Sequence, residues 1–498
     1  MRVSARQFAL RTNSRAVAFA SLMVSFCLAG CKPVGPDYNR PGYQAPSIYK
    51  ETGASSVVVP PPNPAGGGWS PANPSDGMLR GKWWEIYNDP QLNQLEERIA
   101  TKNQSLLQSL EIYQAARDQV TAVRSNLFPT LSANLGASRD RVSAHRPLAG
   151  TTTDYNDLVI GGQASWEPDF WGRIRRSVEA ARATAQADAA DTANIDLSLH
   201  AEMASDYFQL RGLDSQTKLL TSTVSDLQNQ FDLTSRRLAG GVATGADVAQ
   251  AQTQLETVRA ELVDVGVARA QLEHAIGTIA AADLSTFTIP PSPLDLTLPN
   301  VPVGVPSQLL QRRPDIAAAE RQTAAANEQI GIAIAAFYPN ITLTGNGGFE
   351  STNPGTWIQG PSSLWSLGGQ AAQFLFDAGQ RHALTDQARH NYEAQAAGYR
   401  NTVFKAFNDV EDQLSGLKIL EQETTVEQRA VASAQQSYDL SNKRYKGGVT
   451  SYLEVLTAET TLISNQRTAI DIQTRQFVSS VGLVRSLGGG WDVTQLPK

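Results

Sequence analysis

Two stretches decide the fold: Arg236-Arg237-Leu238-Ala239-Gly240-Gly241-Val242-Ala243-Thr244-Gly245-Ala246-Asp247-Val248 and Lys443-Arg444-Tyr445-Lys446-Gly447-Gly448-Val449-Thr450-Ser451-Tyr452-Leu453-Glu454-Val455. Both hold a Gly-Gly-Val turn with an acid six residues past the second glycine. They lie 207 residues apart (448 − 241). Phe170-Trp171-Gly172-Arg173 and Asp377-Ala378-Gly379-Gln380-Arg381 repeat at the same interval (379 − 172 = 207). Phe128-Pro129 and Tyr338-Pro339 repeat at 210 (339 − 129). One unit therefore occurs twice, and a repeat of this kind governs the fold.

The order inside each unit is the same. A helix leads into an aromatic-Pro pair. Two short stretches of strand character follow: Leu131–Arg139 with Leu158–Glu167, and Ile341–Phe349 with Trp365–Phe376. Polar loops at 140–157 and 350–364 split them. Two long helices joined by the Gly-Gly turn complete the unit. No proline occurs over the 121 residues between Pro168 and Pro290, or over the 135 between Pro361 and Pro497. Proline breaks helix interiors, so such runs mark long helices. Leu220, Val224, Leu227, Phe231, Thr234 and Leu238 step by four and three. So do Leu255, Val258, Leu262, Val265, Arg269, Leu272, Ile276 and Ile279, and Val403, Phe407, Val410, Leu414 and Leu417. This is a coiled-coil seam. Helical throughout, Arg173 to Ala239 would run about 100 Å at 1.5 Å per residue. That is too long for one compact domain and implies a rod or a tube.

The first thirty residues read as a processing segment. Arg2, Arg6, Arg11 and Arg15 precede an uncharged run from Ala16 to Gly30. Fifteen residues is too short to span a bilayer and suits a signal peptide. It ends Leu28-Ala29-Gly30-Cys31, which resembles a bacterial lipobox, so Cys31 is expected to be the lipidated first residue of the mature chain. Cys27 then leaves with the signal, and no free thiol remains in an oxidising envelope. Residues 32–81 hold ten of the 25 prolines and the run Gly66-Gly67-Gly68, and read as an extended, poorly packed tether. The chain thus divides into signal (1–30), lipidated tether (31–81), first repeat (82–289), Pro-rich linker (290–306) and second repeat (307–498).

Composition removes several function classes. At 498 residues a sizeable core needs no disulfide staples. Lys+Arg 42 against Asp+Glu 48 gives −6, and −10 once the signal's four arginines are gone, which argues against nucleic-acid binding. Two cysteines exclude a disulfide framework and a cysteine zinc site, and the five histidines fall at no metal-ligand spacing. The chain contains no GxxxxGK loop and no nucleophile–base spacing, so no cofactor beyond the lipid and no catalysis are expected.

Four strand candidates of about nine to twelve residues match a tilted membrane strand of roughly 9–11. An open four-stranded sheet in lipid would leave edge groups unpaired, so membrane strands require several chains to share one barrel. Phe128, Tyr155, Trp166, Trp171, Tyr338, Trp357, Trp365 and Phe376 fit an interfacial girdle. A soluble β-cap with buried aromatics reads the same way.

The residues now carry a resemblance. Cys31 with Pro36-Asp37-Tyr38-Asn39-Arg40-Pro41, Trp83-Trp84 before Asp89-Pro90, Val305-Pro306-Ser307-Gln308-Leu309-Leu310 running into Arg312-Arg313-Pro314-Asp315-Ile316, Ala319-Glu320, Ile330-Gly331, Tyr338-Pro339, and Arg444-Tyr445 before Gly448 are similar to the TolC-like outer membrane factors, in their OprM- and NodT-like lipoprotein efflux branch. The match covers nearly the whole mature chain. It implies a mainly α protein with a membrane β-barrel: a homotrimer with a twelve-stranded barrel, an α-helical periplasmic tube, and an equatorial belt drawn from the terminal segments. It implies an outer membrane location in a Gram-negative bacterium and a passive duct for drugs or toxic compounds. Its partners would be a periplasmic adaptor and an inner-membrane transporter of the RND type. A duct for type I protein or polysaccharide secretion is the alternative within the family. A lipid-anchored coiled-coil scaffold without a pore is the alternative outside it.

By the same resemblance the turns are the periplasmic tips, with Gly241, Val242, Gly448 and Val449 meeting the adaptor. Asp247 and Glu454 would form acidic rings in a trimer, attracting cations as charged rings do in channels. Alternatively, each acid simply favours the first turn of its helix through the macrodipole. Leu453 is a candidate constriction, and Arg444 with Tyr445 would tie neighbouring tip helices together. Pro314 suits a first helical position and Asp315 a first turn, so the Arg-Arg-Pro-Asp run is expected to be structural.

Overall fold

A computed structural model describes residues 32–43, 45, 46, 48–51, 81–143, 145, 153–303, 306 and 309–497. The signal segment and Cys31 lie outside the described residues, as does the tether from 52 to 80.

The helices are α1 (Pro90–Lys102), α2 (Gln104–Ser125), α3 (Arg173–Ala239), α4 (Gly245–Ile279), the short α5 (Leu309–Arg312), α6 (Pro314–Ala335), α7 (Gln380–Lys446) and α8 (Tyr452–Ser486). The strands are β1 (Thr130–Val142), β2 (Thr153–Trp166), β3 (Asn340–Ser351) and β4 (Ser363–Ala372). The repeat is reproduced to the residue in helix length. α2 and α6 both have 22 residues, α3 and α7 both 67, α4 and α8 both 35. Among the described residues two compact units each draw on both repeats: one holds those of 32–40, 115–185 and 321–396, the other those of 41–51, 81–114, 186–320 and 397–497.

The first unit holds an antiparallel sheet in the order β1-β2-β3-β4. Its register puts Leu131, Leu135, Ile160, Trp166, Leu343 and Phe349 on one face and Ser132, Asn134, Gln163, Thr344 and Asn346 on the other. The apolar face is uncovered: Leu131 is 83% exposed and Leu367 81%. The strands differ from the sequence expectation at both ends. β1 and β2 continue through polar residues, with Asp140 opposite Tyr155 and Arg141 opposite Asp154, so the loop expected at 140–157 is shorter. β4 stops at Ala372, not Phe376, because Asn340 opposite Ala372 is preceded by Pro339, which has no N–H for the ladder. Pro129 ends the β1–β2 ladder in the same way; β2 runs one residue further, to Trp166 opposite Leu343 of β3, and omits Glu167, which precedes Pro168.

The tether was expected to be poorly packed, but its described beginning is held down. Buried Arg176 donates to Glu328 Oε2 at 2.7 Å, Asp37 Oδ1 at 3.2 Å and the carbonyls of Val34 and Gly35. Asn327 Nδ2 donates to Pro36 O, and Val34 N to Trp171 O. Gly35 and Gly331 permit this approach: a Cβ on Gly35 would lie 2.5 Å from Gly331 Cα.

In the second unit the seams pack as the periodicity predicts. Leu220, Leu227, Leu255, Val258 and Val265 form one buried cluster from α3 and α4. Val403 and Val410 join a larger core with Trp83, Trp84, Tyr207, Phe208 and Phe477. Asp89 caps α1 by accepting from Gln91 N and Leu92 N, with Pro90 at its first position. Arg269 is the polar member of its seam. Its Nε donates to buried Asp214 at 2.7 Å, and Asp214 also accepts from Arg211 and from Ser292 N. This clasp fixes the inter-repeat linker against the helices. Elsewhere in the same unit His200 Nδ1 meets Glu96 at 2.6 Å with the Trp84 ring stacked on it, and the Glu96 and Asp196 carboxylates hold the imidazole above its ordinary range against the cost of burial. Pro314 begins α6 and Asp315 sits in its first turn, where it anchors Arg313 at 3.0 and 2.8 Å. Among the described residues no helix is long and apolar enough to cross a membrane.

Candidate functional site: the paired helix-reversal turns

Both turns close by the same backbone geometry. Gly241 and Gly448 have φ of 73° and 76°. Val242 N donates to Arg237 O at 2.8 Å and Gly241 N to Leu238 O at 2.9 Å. Val449 N donates to Arg444 O at 3.0 Å and Gly448 N to Tyr445 O at 2.9 Å. This pair of bonds caps the last carbonyls of a helix and needs a left-handed residue that glycine supplies without strain. Arg236, Arg237, Lys443, Arg444 and Lys446 occupy the last turns, where cations oppose the helix dipole. Each turn raises a valine into solvent, Val242 at 67% and Val449 at 71% exposure. Leu453 is also exposed.

The two acids at equivalent positions are used differently. Asp247 completes a capping box: its Oδ2 accepts from Thr244 N at 2.8 Å, and Thr244 Oγ1 accepts from Asp247 N at 3.2 Å. Ser451 makes no side-chain cap, and Glu454 instead faces Arg444 at 3.7 Å on the surface.

Beneath the turns, side chains of both hairpins interlock. Tyr445 is buried with Tyr452, Val455 and Ala251, and the two rings meet edge to face at 5.5 Å. Arg237, from the first hairpin, lies over the Tyr445 ring at 4.7 Å and donates to Lys446 O. Gln230 then bridges three helices, donating to Tyr438 Oη at 2.7 Å and Glu459 Oε1 at 3.0 Å while accepting from Tyr452 Oη. Glu459 is buried, its Oε2 has no hydrogen-bond partner, and desolvation raises it to about 7. The sequence reading reached Arg444, Tyr445, Leu453, Glu454, Asp247 and the turn residues. It missed Arg237, Gln230, Tyr452 and Glu459, whose only signal is their place within about three helical turns of the Gly-Gly pairs. Among the described residues no cluster of His, Cys, Asp and Glu could hold a metal.

The model of the outer membrane efflux protein family matches residues 96–282 and 305–489, one stretch in each repeat. The chain belongs to this family. It is 32% identical over 480 residues to the toluene efflux pump outer membrane protein TtgC of Pseudomonas putida, covering 94% of each chain. It is 30% identical over 426 residues to the pyoverdine export outer membrane protein OpmQ of Pseudomonas aeruginosa, covering 84% of this chain and 90% of OpmQ. The solved outer-membrane channel OprN superposes with a TM-score of 0.83 at 27% identity, over 92% of this chain and 99% of that one. This outer membrane efflux protein therefore has the fold of the TolC-like channels, which are passive ducts and not enzymes.

Proposed function

We propose that three copies of this efflux protein close their sheets into one twelve-stranded barrel and form the exit duct of a tripartite pump for small toxic compounds. The open outer edges of β1 and β4, on a sheet with one uncovered apolar face, carry this reading. In lipid each unpaired edge group costs several kcal/mol, and closure removes the cost. The relatives' names point to hydrophobic solvents and other small molecules as cargo. The turns at Gly241-Val242 and Gly448-Val449 are the adaptor-docking tips, and their exposed valines suit an apolar partner surface. Leu453, Glu454, Asp247, Arg444 and Tyr445 form the periplasmic aperture. Lipidated Cys31 anchors the chain, and an inner-membrane transporter of the RND type supplies the energy.

The test is electron microscopy of the detergent-extracted protein together with planar-bilayer conductance. Three-fold particles longer than about 100 Å, the span of α3 at 1.5 Å per residue, that also form discrete pores support the duct. Single rods without conductance overturn it.

A further inference from the structure

A cavity of about 440 Å3 opens at the foot of the sheet, where the ends of β2 and β4 turn into α3 and α7. That volume falls within the roughly 300–1,000 Å3 of small-ligand sites. One wall is apolar: Phe170, Trp171, Tyr338, Ile341, Phe374 and Leu384. It is a built wall, since Trp171 and Tyr338 stack at 4.7 Å and Trp171 Nε1 donates to Pro339 O at 2.8 Å. The rim is charged: Glu167, Asp169 and Arg173 come from the first repeat, Asp377 and Arg381 from the second, and Asp169 is held by Arg175. Arg173 forks onto Glu167 at 2.9 and 2.8 Å, and Arg381 Nε reaches Asp377 at 2.5 Å. Next to the cavity Phe374, Leu375 and Phe376 are 75%, 93% and 87% exposed.

The lining selects its occupant. The apolar wall asks for a hydrocarbon chain. The rim offers acids as well as arginines, so a plain anion would meet repulsion beside each attraction. A zwitterion satisfies both, with its phosphate at the guanidinium groups and its ammonium at the carboxylates. We propose that this cleft holds one zwitterionic phospholipid of the ethanolamine type, its acyl chain on the Trp171–Tyr338 wall and its headgroup between Arg173–Glu167 and Arg381–Asp377. A primary ammonium donates hydrogen bonds that a quaternary one cannot. The proposal rests on the sheet being in a membrane: aromatic residues then mark the boundary where headgroups lie.

The test uses full-length protein, delipidated in detergent and offered mixed micelles with equal phosphatidylethanolamine and phosphatidylglycerol. Native mass spectrometry counts the lipid retained. Phosphatidylethanolamine should be held about tenfold over phosphatidylglycerol, at a fixed number per chain. Leu384→Trp, which fills the cavity, should abolish that retention. Glu167→Gln with Asp377→Asn should keep the lipid but erase the preference. Equal retention of both lipids, or full retention by Leu384→Trp, overturns the proposal. So does a cross-link between chains in the Leu384→Cys variant, which would put a second copy in the cleft. Conductance separates the two levels. Pores that conduct without selective lipid retention sink this site alone, whereas no pore at all sinks the membrane reading beneath it.

Discussion

The two reversal turns share one backbone and differ in what stabilises them. At the first, Thr244 and Asp247 satisfy each other locally, and the residue matching Tyr445 is the exposed Leu238 (445 − 207). At the second, the helix start has no side-chain cap, and stability comes from Tyr445 and Tyr452 buried against the first hairpin. A duplicated turn has thus divided its labour. One copy is capped within its own turn. The other is held by contacts that span the two hairpins.

The comparison breaks first at Tyr445. Replacing this buried ring by alanine should cost about 3–5 kcal/mol, as large-to-small core changes do. The Leu238→Ala change at the matching position should cost far less. Amide exchange at the two turns would read both, and equal losses would erase the asymmetry. Next comes Glu459. Its carboxyl is raised from the ordinary 4.5 to about 7 by burial, so the neutral form is the one the fold favours. Its contribution is complete below about pH 4.5 and is lost as pH rises toward about 7, on the order of 2–3 kcal/mol. Glu459→Gln should flatten the pH dependence of exchange in the Tyr438–Tyr452 region, and an unchanged slope would remove Glu459 from the account. At the helix starts, Thr244→Ala should cost about 1 kcal/mol and Ser451→Ala almost nothing, since only the first makes a cap bond. Thermal unfolding of the pair checks that contrast. The smallest effect is at Glu454. Its surface pair with Arg444 is worth about 0–1 kcal/mol, so Glu454→Ala should leave stability intact and lower cation preference in bilayer conductance.

The repeat, the helix lengths and the seams were legible because they depend on periodicity, which a linear reading detects. Strand existence was legible for the same reason. Strand ends were not, since Phe374-Leu375-Phe376 looks like strand by composition, and the ladder stops before it where Pro339, which has no N–H, falls opposite Gln373. The buried charges were invisible. Arg176 meets Glu328 across 152 residues, and Arg269 meets Asp214 across 55, with no periodic trace of either pairing. The reversal turns were half legible: glycine announces a turn, but Gln230 and Glu459 are ordinary helix residues until two hairpins are laid together.

The matching helix lengths have a consequence for how this protein can change. α3 and α7 both run 67 residues before their turns, and Arg237 meets Lys446 only because the two ends arrive level. One residue lost from α3 alone would rotate everything beyond it by about 100° and lift the turn by about 1.5 Å. Seven lost would restore the face but leave the turn about 10 Å short. The two halves of the chain are therefore free to diverge in composition, as the turns show, but hold each other to a common ruler. Any accepted change of length in one long helix has to be matched in the other.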